Sequence, residues 1–173
     1  LRLLYGKCDR ANLHQTAVGA EPGKLHLHVN TDNPTITTAS SDLIAAARRS
    51  TQWAGQVWDS RITVNTITLD ALIAQYGVPD FVKIDVEGPE LEVLKGLTHR
   101  PPALSFEFTT IQKDVALDCL TQMRHLGDYE FNVSLGEDHA FVNPDWADAP
   151  TLQSQIARLP MRANSGDVFA RLR

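Results

Sequence analysis

The chain has 173 residues, 43% of them hydrophobic and 21% charged, with a formal net charge of −5. That length supports one domain with a real core, and this mix of residues excludes an intrinsically disordered chain. The acidic balance argues against a nucleic-acid partner, which needs a basic patch. No run approaches the roughly 18 apolar residues of a membrane span.

Leu1 to Tyr5 reads as the tail of a helix closed by Gly6. With no initiator methionine and no apolar leader, the chain is expected to begin inside a longer, cytoplasmic product. Cys8 and Cys119 share no metal or redox spacing and read as two reduced thiols. Leu13–Val18 reads as a strand, and Glu21-Pro22-Gly23 as a turn. Leu25, Leu27 and Val29 then alternate with polar residues, so a second, half-buried strand follows. The two are expected to form a hairpin or a strand with an appended edge.

Residues 31–41 form a polar loop, and Asp42 is expected to cap a short helix running to Arg49. Arg48 and Arg49 read as a solvated helix face. Val64–Ile67 is a short strand. Thr68 suits a helix N-cap, Leu69, Leu72, Ile73 and Tyr76 follow at helical spacing, and Gly77 stops the helix.

Phe81, Val82, Ile84 and Val86 make the most apolar short run, read as a central strand over 81–86 buried on both faces. Pro89 opens the next helix, with Leu91, Leu94 and Leu97 as its stripe. Ala103–Phe108 is another strand. Val115, Cys119, Leu120, Met123 and Leu126 form a helix face ended by Gly127, and Tyr129–Val133 is a strand. Thr151 is expected to cap a helix carrying Leu152, Ile156 and Leu159, and Val168–Leu172 closes the chain as a strand that the long connection allows to run antiparallel. Helix and strand alternate from Thr68 onward, which predicts an α/β fold with a mostly parallel sheet.

Ligands of open parallel sheets bind beyond the carboxyl ends of the strands. Asp85 and Glu87 lie there, two apart and so on one face of an extended segment, with Glu90 close behind and Glu107 near the end of the next strand. Carboxylates at the mouth of a buried strand suit a general base, hydroxyl orientation or a metal, or else cap the following helix or pair with Lys83. Lys83 reads as an ion-pair partner. His26 and His28 share a strand face that should look to water, and His14, His99, His125 and His139 have no ligand spacing. The sequence predicts no metal site. It contains no GxSxG, P-loop, HExxH or GxGxxG.

Thr68-Leu69-Asp70-Ala71-Leu72, followed by the block from Asp80 through Lys83-Ile84-Asp85-Val86-Glu87-Gly88-Pro89-Glu90 to Gly96, resembles the FkbM methyltransferase family. That family carries a TLD-x-L segment ahead of KIDVEG-x-E-x-x-VL-x-G. Ala17-Val18-Gly19 to Gly23 resembles the family's turn after its third strand, and Ser105-Phe106-Glu107-Phe108 its fifth. The likeness runs from Leu1 to about Val133 and is loose after Asn143.

The resemblance implies a Rossmann-like class I methyltransferase sheet of seven strands with an antiparallel last strand, and residues 1–173 as a single, N-terminally incomplete methyltransferase domain. It implies S-adenosylmethionine as donor and a small-molecule or carbohydrate hydroxyl as acceptor. Ala17, Val18 and Asp85 would then be cofactor-binding, and Asp85, Glu87 and Glu107 catalytic. The family's glycine loop and its ribose-binding acid would lie before Leu1. A degenerate, non-catalytic α/β interaction domain is the competing expectation, and so is a Mg²⁺-assisted transferase using Asp85 and Glu87. Trp53, Trp58 and Trp146 lie in the two loops, 31–60 and 136–150, expected to build the acceptor pocket.

Overall fold

The computed structural model describes residue 8, residues 10–138 and residues 140–173. The expected helix tail at 1–6 and His139 lie outside the described residues. Strands alternate with helices along the chain: β1 (Ala17–Val18), β2 (Gly23–Val29), α1 (Ser41–Ala47), β3 (Ser60–Ile67), α2 (Leu69–Tyr76), β4 (Phe81–Ile84), α3 (Glu90–Lys95), β5 (Ala103–Thr109), α4 (Lys113–Leu126), β6 (Tyr129–Leu135), α5 (Ala149–Arg158) and β7 (Ser165–Leu172). The architecture is α/β with mixed sheets. No helix among the described residues is long and apolar enough to cross a membrane.

The strands form two sheets, β1-β3-β2 and β4-β5-β7-β6. This corrects the expected hairpin: β1 and β2 do not pair with each other. Both use β3, β1 in parallel and β2 antiparallel. It also corrects the mostly parallel sheet, because only β1–β3 and β4–β5 pair in parallel, whereas β2–β3, β5–β7 and β6–β7 are antiparallel. The last strand is antiparallel to both its neighbours, as expected.

β4 is an edge strand among the described residues, not a central one, and Phe81 at its start is 47% exposed. Its inward residue Ile84 is buried, and Leu104, Phe106, Phe108, Phe131, Val133, Val168 and Ala170 continue that apolar face across the sheet. Leu94, Leu120, Met123, Leu152 and Ile156 cover it from α3, α4 and α5 and complete the main core.

Local signals account for most helix ends. The Thr68 side chain accepts from the Ala71 N–H at 3.1 Å and Gly77 stops α2. Two expected caps are displaced. Ser40, not Asp42, accepts from Leu43 N, so α1 begins at Ser41 and buries Leu43, Ile44 and Ala47. Asp148, not Thr151, caps α5, whose first turn holds Pro150. Polar residues stand in series at both places, and the buried face decides which one caps. Pro89 is the cap position ahead of α3 rather than its first residue.

Gly96 joins three elements. A Cβ there would collide with the Gly19 carbonyl oxygen and lie 3.3 Å from Thr68. Its own carbonyl accepts from Asp70 N at 3.1 Å. Asp70 in turn holds the loop after α3, accepting from Thr98 N at 2.9 Å, Thr98 Oγ1 at 2.7 Å and His99 Nδ1 at 2.9 Å. Burial pushes the Asp70 carboxyl up, but these bonds outweigh it and hold the pKa at about 2.

Candidate active site

β4 ends at Ile84, and the chain turns sharply before α3. Glu87 adopts φ 57° and Gly88 φ 112°. Such a φ at a non-glycine residue costs about 1 kcal/mol and needs outside support. The buried Thr38 hydroxyl supplies it by donating to the Glu87 carbonyl at 2.5 Å. Gly88 packs on α1, where a Cβ would come 3.1 Å from Ser40. Its N–H donates to the buried Glu90 carboxylate at 2.9 Å. The β2–β3 connection therefore fastens the acidic turn.

This turn brings three expected site residues together. Carboxylate oxygens of Asp85, Glu87 and Glu107 all lie within 4.8 Å of one another. Asp85 and Glu87 converge through the left-handed turn, and the extended geometry inferred from their spacing is not the cause. Burial pushes Glu87 up to about 7, with the charges of Asp85 and Glu90 adding to the effect. Glu107 is raised further, first by burial and then by Glu87 and Asp85. It therefore holds a proton at neutral pH.

Lys83 lies beside the cluster, 3.6 Å from Asp85 and hydrogen-bonded to Asp167. Burial pushes its ammonium down, but Asp167, Asp85 and Glu107 outweigh this and raise it. Asp167 completes the arrangement from β7, directly opposite Glu107 on β5. The last strand was expected to begin at Val168. Carrying its alternation back to Ser165 puts Asp167 on the same face as Phe169 and would have found it. Glu90 was noted for its charge, but its burial was not visible in the pattern.

A small hollow lined by Glu87, Glu90, Glu107, Thr109 and Gln112 lies at the cluster. Gln112 lines this hollow, and its Oε1 is buried without a hydrogen-bond partner. A cleft of about 1070 Å³ adjoins it, sharing Gly88, Gln112 and Val115. Val18 and Gly19 line that cleft; Ala17 lines neither space. His26 bonds Thr63 at 3.0 Å on the exposed face of β2. Trp53 and Trp58 stack on each other at 6.3 Å, and the Trp58 indole donates to the Ile36 carbonyl, so this pair packs its own loop.

Among the described residues, Asp85, Glu87 and Glu107 are the set whose donors could hold a cation. Oxygen donors suit a hard divalent ion. Clustered, desolvated carboxylates equally suit an organic cation, whose charge relieves their mutual repulsion.

The model of the FkbM methyltransferase domain family matches residues 4–141. The chain belongs to the FkbM methyltransferase family. The match takes in β1 to β6 and the three clustered acids, while α5 and β7, with Asp167, lie beyond it. The hexuronic acid methyltransferase AglP of Haloferax volcanii is 41% identical over 59 residues, which cover 33% of this chain and 25% of that protein. The chain thus aligns with a quarter of that relative's length. No solved structure matches the chain.

Proposed function

We propose that this FkbM methyltransferase uses S-adenosylmethionine to methylate a hydroxyl of a small molecule or sugar, with residues 1–173 contributing one domain. The observation that carries this reading is the convergence of the Asp85, Glu87 and Glu107 carboxylates within 4.8 Å of one another. The desolvated acids fit the sulfonium end of such a donor, because a positive charge there offsets both the burial and the mutual repulsion that push Glu87 and Glu107 up. When bound, S-adenosylmethionine supplies an electrophilic methyl group. Val18 and Gly19, which line the adjoining cleft, would flank its adenine.

Asp85 is the most exposed of the three acids, so an acceptor reaches it first. It takes the proton of the acceptor hydroxyl as that oxygen attacks, while Lys83 steadies the carboxylate from 3.6 Å. Glu107, protonated, donates a hydrogen bond within the site, and Glu87 orients the acceptor. Most of the acceleration comes from alignment and proximity, with the base adding about 10²–10⁴. The sugar-acid relative supports a carbohydrate acceptor. Calorimetric titration of S-adenosylhomocysteine into the full-length protein tests this reading. Saturable micromolar binding is expected, and no binding would overturn donor use.

A further inference from the structure

We propose that an aromatic ledge of Phe141, Phe169 and Trp146 is the acceptor surface of this site, and that it takes an uncharged polyhydroxylated ring rather than an anionic one. The proposal rests on the methyl-transfer reading above and gives it a substrate class.

The face of the four-stranded sheet opposite the main core is built in rows. Lys83, Ser105, Phe169 and Asn132 are paired neighbours across β4, β5, β7 and β6. The next row holds Glu107, Asp167 and Ser134. Phe169 is therefore one row from the carboxylates on the same face, roughly 7 Å along the strand at about 3.3 Å per residue. The loop between β6 and α5 extends this apolar spot. Asn143 is tied to Asn132 at 2.9 Å and 3.2 Å, and Phe141 meets Phe169 edge to face with centroids 5.2 Å apart. Trp146 meets Phe141 at 5.3 Å. Phe141 is nevertheless 49% exposed, and Val142 beside it 47%. An aromatic surface left open next to hydrogen-bonding carboxylates suits a sugar ring, with C–H groups on one side and hydroxyls on the other.

Charge selects among such rings. Every described cation on this face already has acidic partners. Lys83 bonds Asp167 and Asp85. Arg171 bonds Glu130 and lies 4.3 Å over the Trp146 ring. Arg173 lies 3.4 Å from Glu130 and 3.8 Å from Asp128. A ring carboxylate would meet the carboxylates of Asp85 and Asp167 with no spare cation among the described residues to receive it, and like-charge juxtaposition is an effective means of exclusion. Neutral hydroxyls, as donors, suit carboxylate acceptors.

Saturation-transfer difference NMR on the full-length protein with saturating S-adenosylhomocysteine tests this. The probes are a methyl hexopyranoside and the matching methyl hexopyranosiduronate. Transfer to the ring protons of the neutral glycoside is expected, at least fivefold weaker for the uronoside. Phe141→Ala is expected to abolish it and Phe141→Trp, which keeps a ring, to retain it, both with unchanged S-adenosylhomocysteine affinity. Equal or stronger transfer to the uronoside overturns the charge selection. Transfer persisting in Phe141→Ala overturns the ledge. No transfer to either glycoside, by protein that binds S-adenosylhomocysteine, overturns the acceptor class. Failure to bind S-adenosylhomocysteine is a separate result, and it strikes the methyl-transfer reading itself.

Discussion

Asp85 and Glu107 carry the same functional group in different surroundings, and their roles separate accordingly. Asp85 is half exposed beside Lys83, whereas Glu107 is largely buried among other acids. Asp85→Asn keeps the shape and removes the base, so kcat should fall by about 10²–10⁴ while the melting temperature stays within a few degrees. A methyl-transfer assay with a parallel thermal melt checks both. Glu87 makes a prediction about stability. Its folded pKa is raised from 4.5 to about 7. Between those values the folded state holds a proton the unfolded chain has lost, so the carboxyl destabilises progressively as pH rises through that window. Below it the penalty vanishes. Glu87→Gln should therefore melt a few degrees above wild type at pH 8, with the gap closing by pH 4. A constant gap would remove titration as its cause.

At the scale of elements, Gly96 is the most demanding position. Any side chain there meets the backbone of the β1 turn, and backbone cannot rotate aside. Gly96→Ala should cost about 2 kcal/mol, measured as a lower urea midpoint with an unchanged slope. Helices were largely legible in the sequence because their signals are local. Thr68, the Leu69–Tyr76 spacing and Gly77 lie within ten residues and specify α2 completely. Pairing was not legible. The alternation in Leu25, Leu27 and Val29 identifies a strand and its faces, but no pattern says that its partner is β3, some 30 residues on, rather than β1. The site was legible in part for the same reason. Asp85, Glu87 and Glu107 sit at strand ends, which motif and topology expose. Asp167 and Thr38 reach the cluster only through tertiary contacts from residues distant in sequence.

At the scale of the whole molecule, β4 is an edge strand among the described residues. It is four residues long, and Phe81, Val78 and Tyr76 are exposed around its start. Short length and the nearby charges of Asp80 and Lys83 are the usual protections of such an edge. Phe81→Lys should reduce concentration-dependent light scattering and move the melting temperature by no more than about 2 °C, since an exposed side chain contributes little to packing. Greater scattering would show that Phe81 shields the edge instead.

The bond from Thr38 to the Glu87 carbonyl joins residues 49 apart in sequence. The signals for α2 and α4 are local, whereas the acidic turn is expected to reach its left-handed shape only after the β2–β3 connection has docked across that distance. On refolding, helical content should therefore return before the carboxylates converge. A chain caught halfway should then hold nearly all of its helices and none of its site, which stopped-flow circular dichroism during refolding would check.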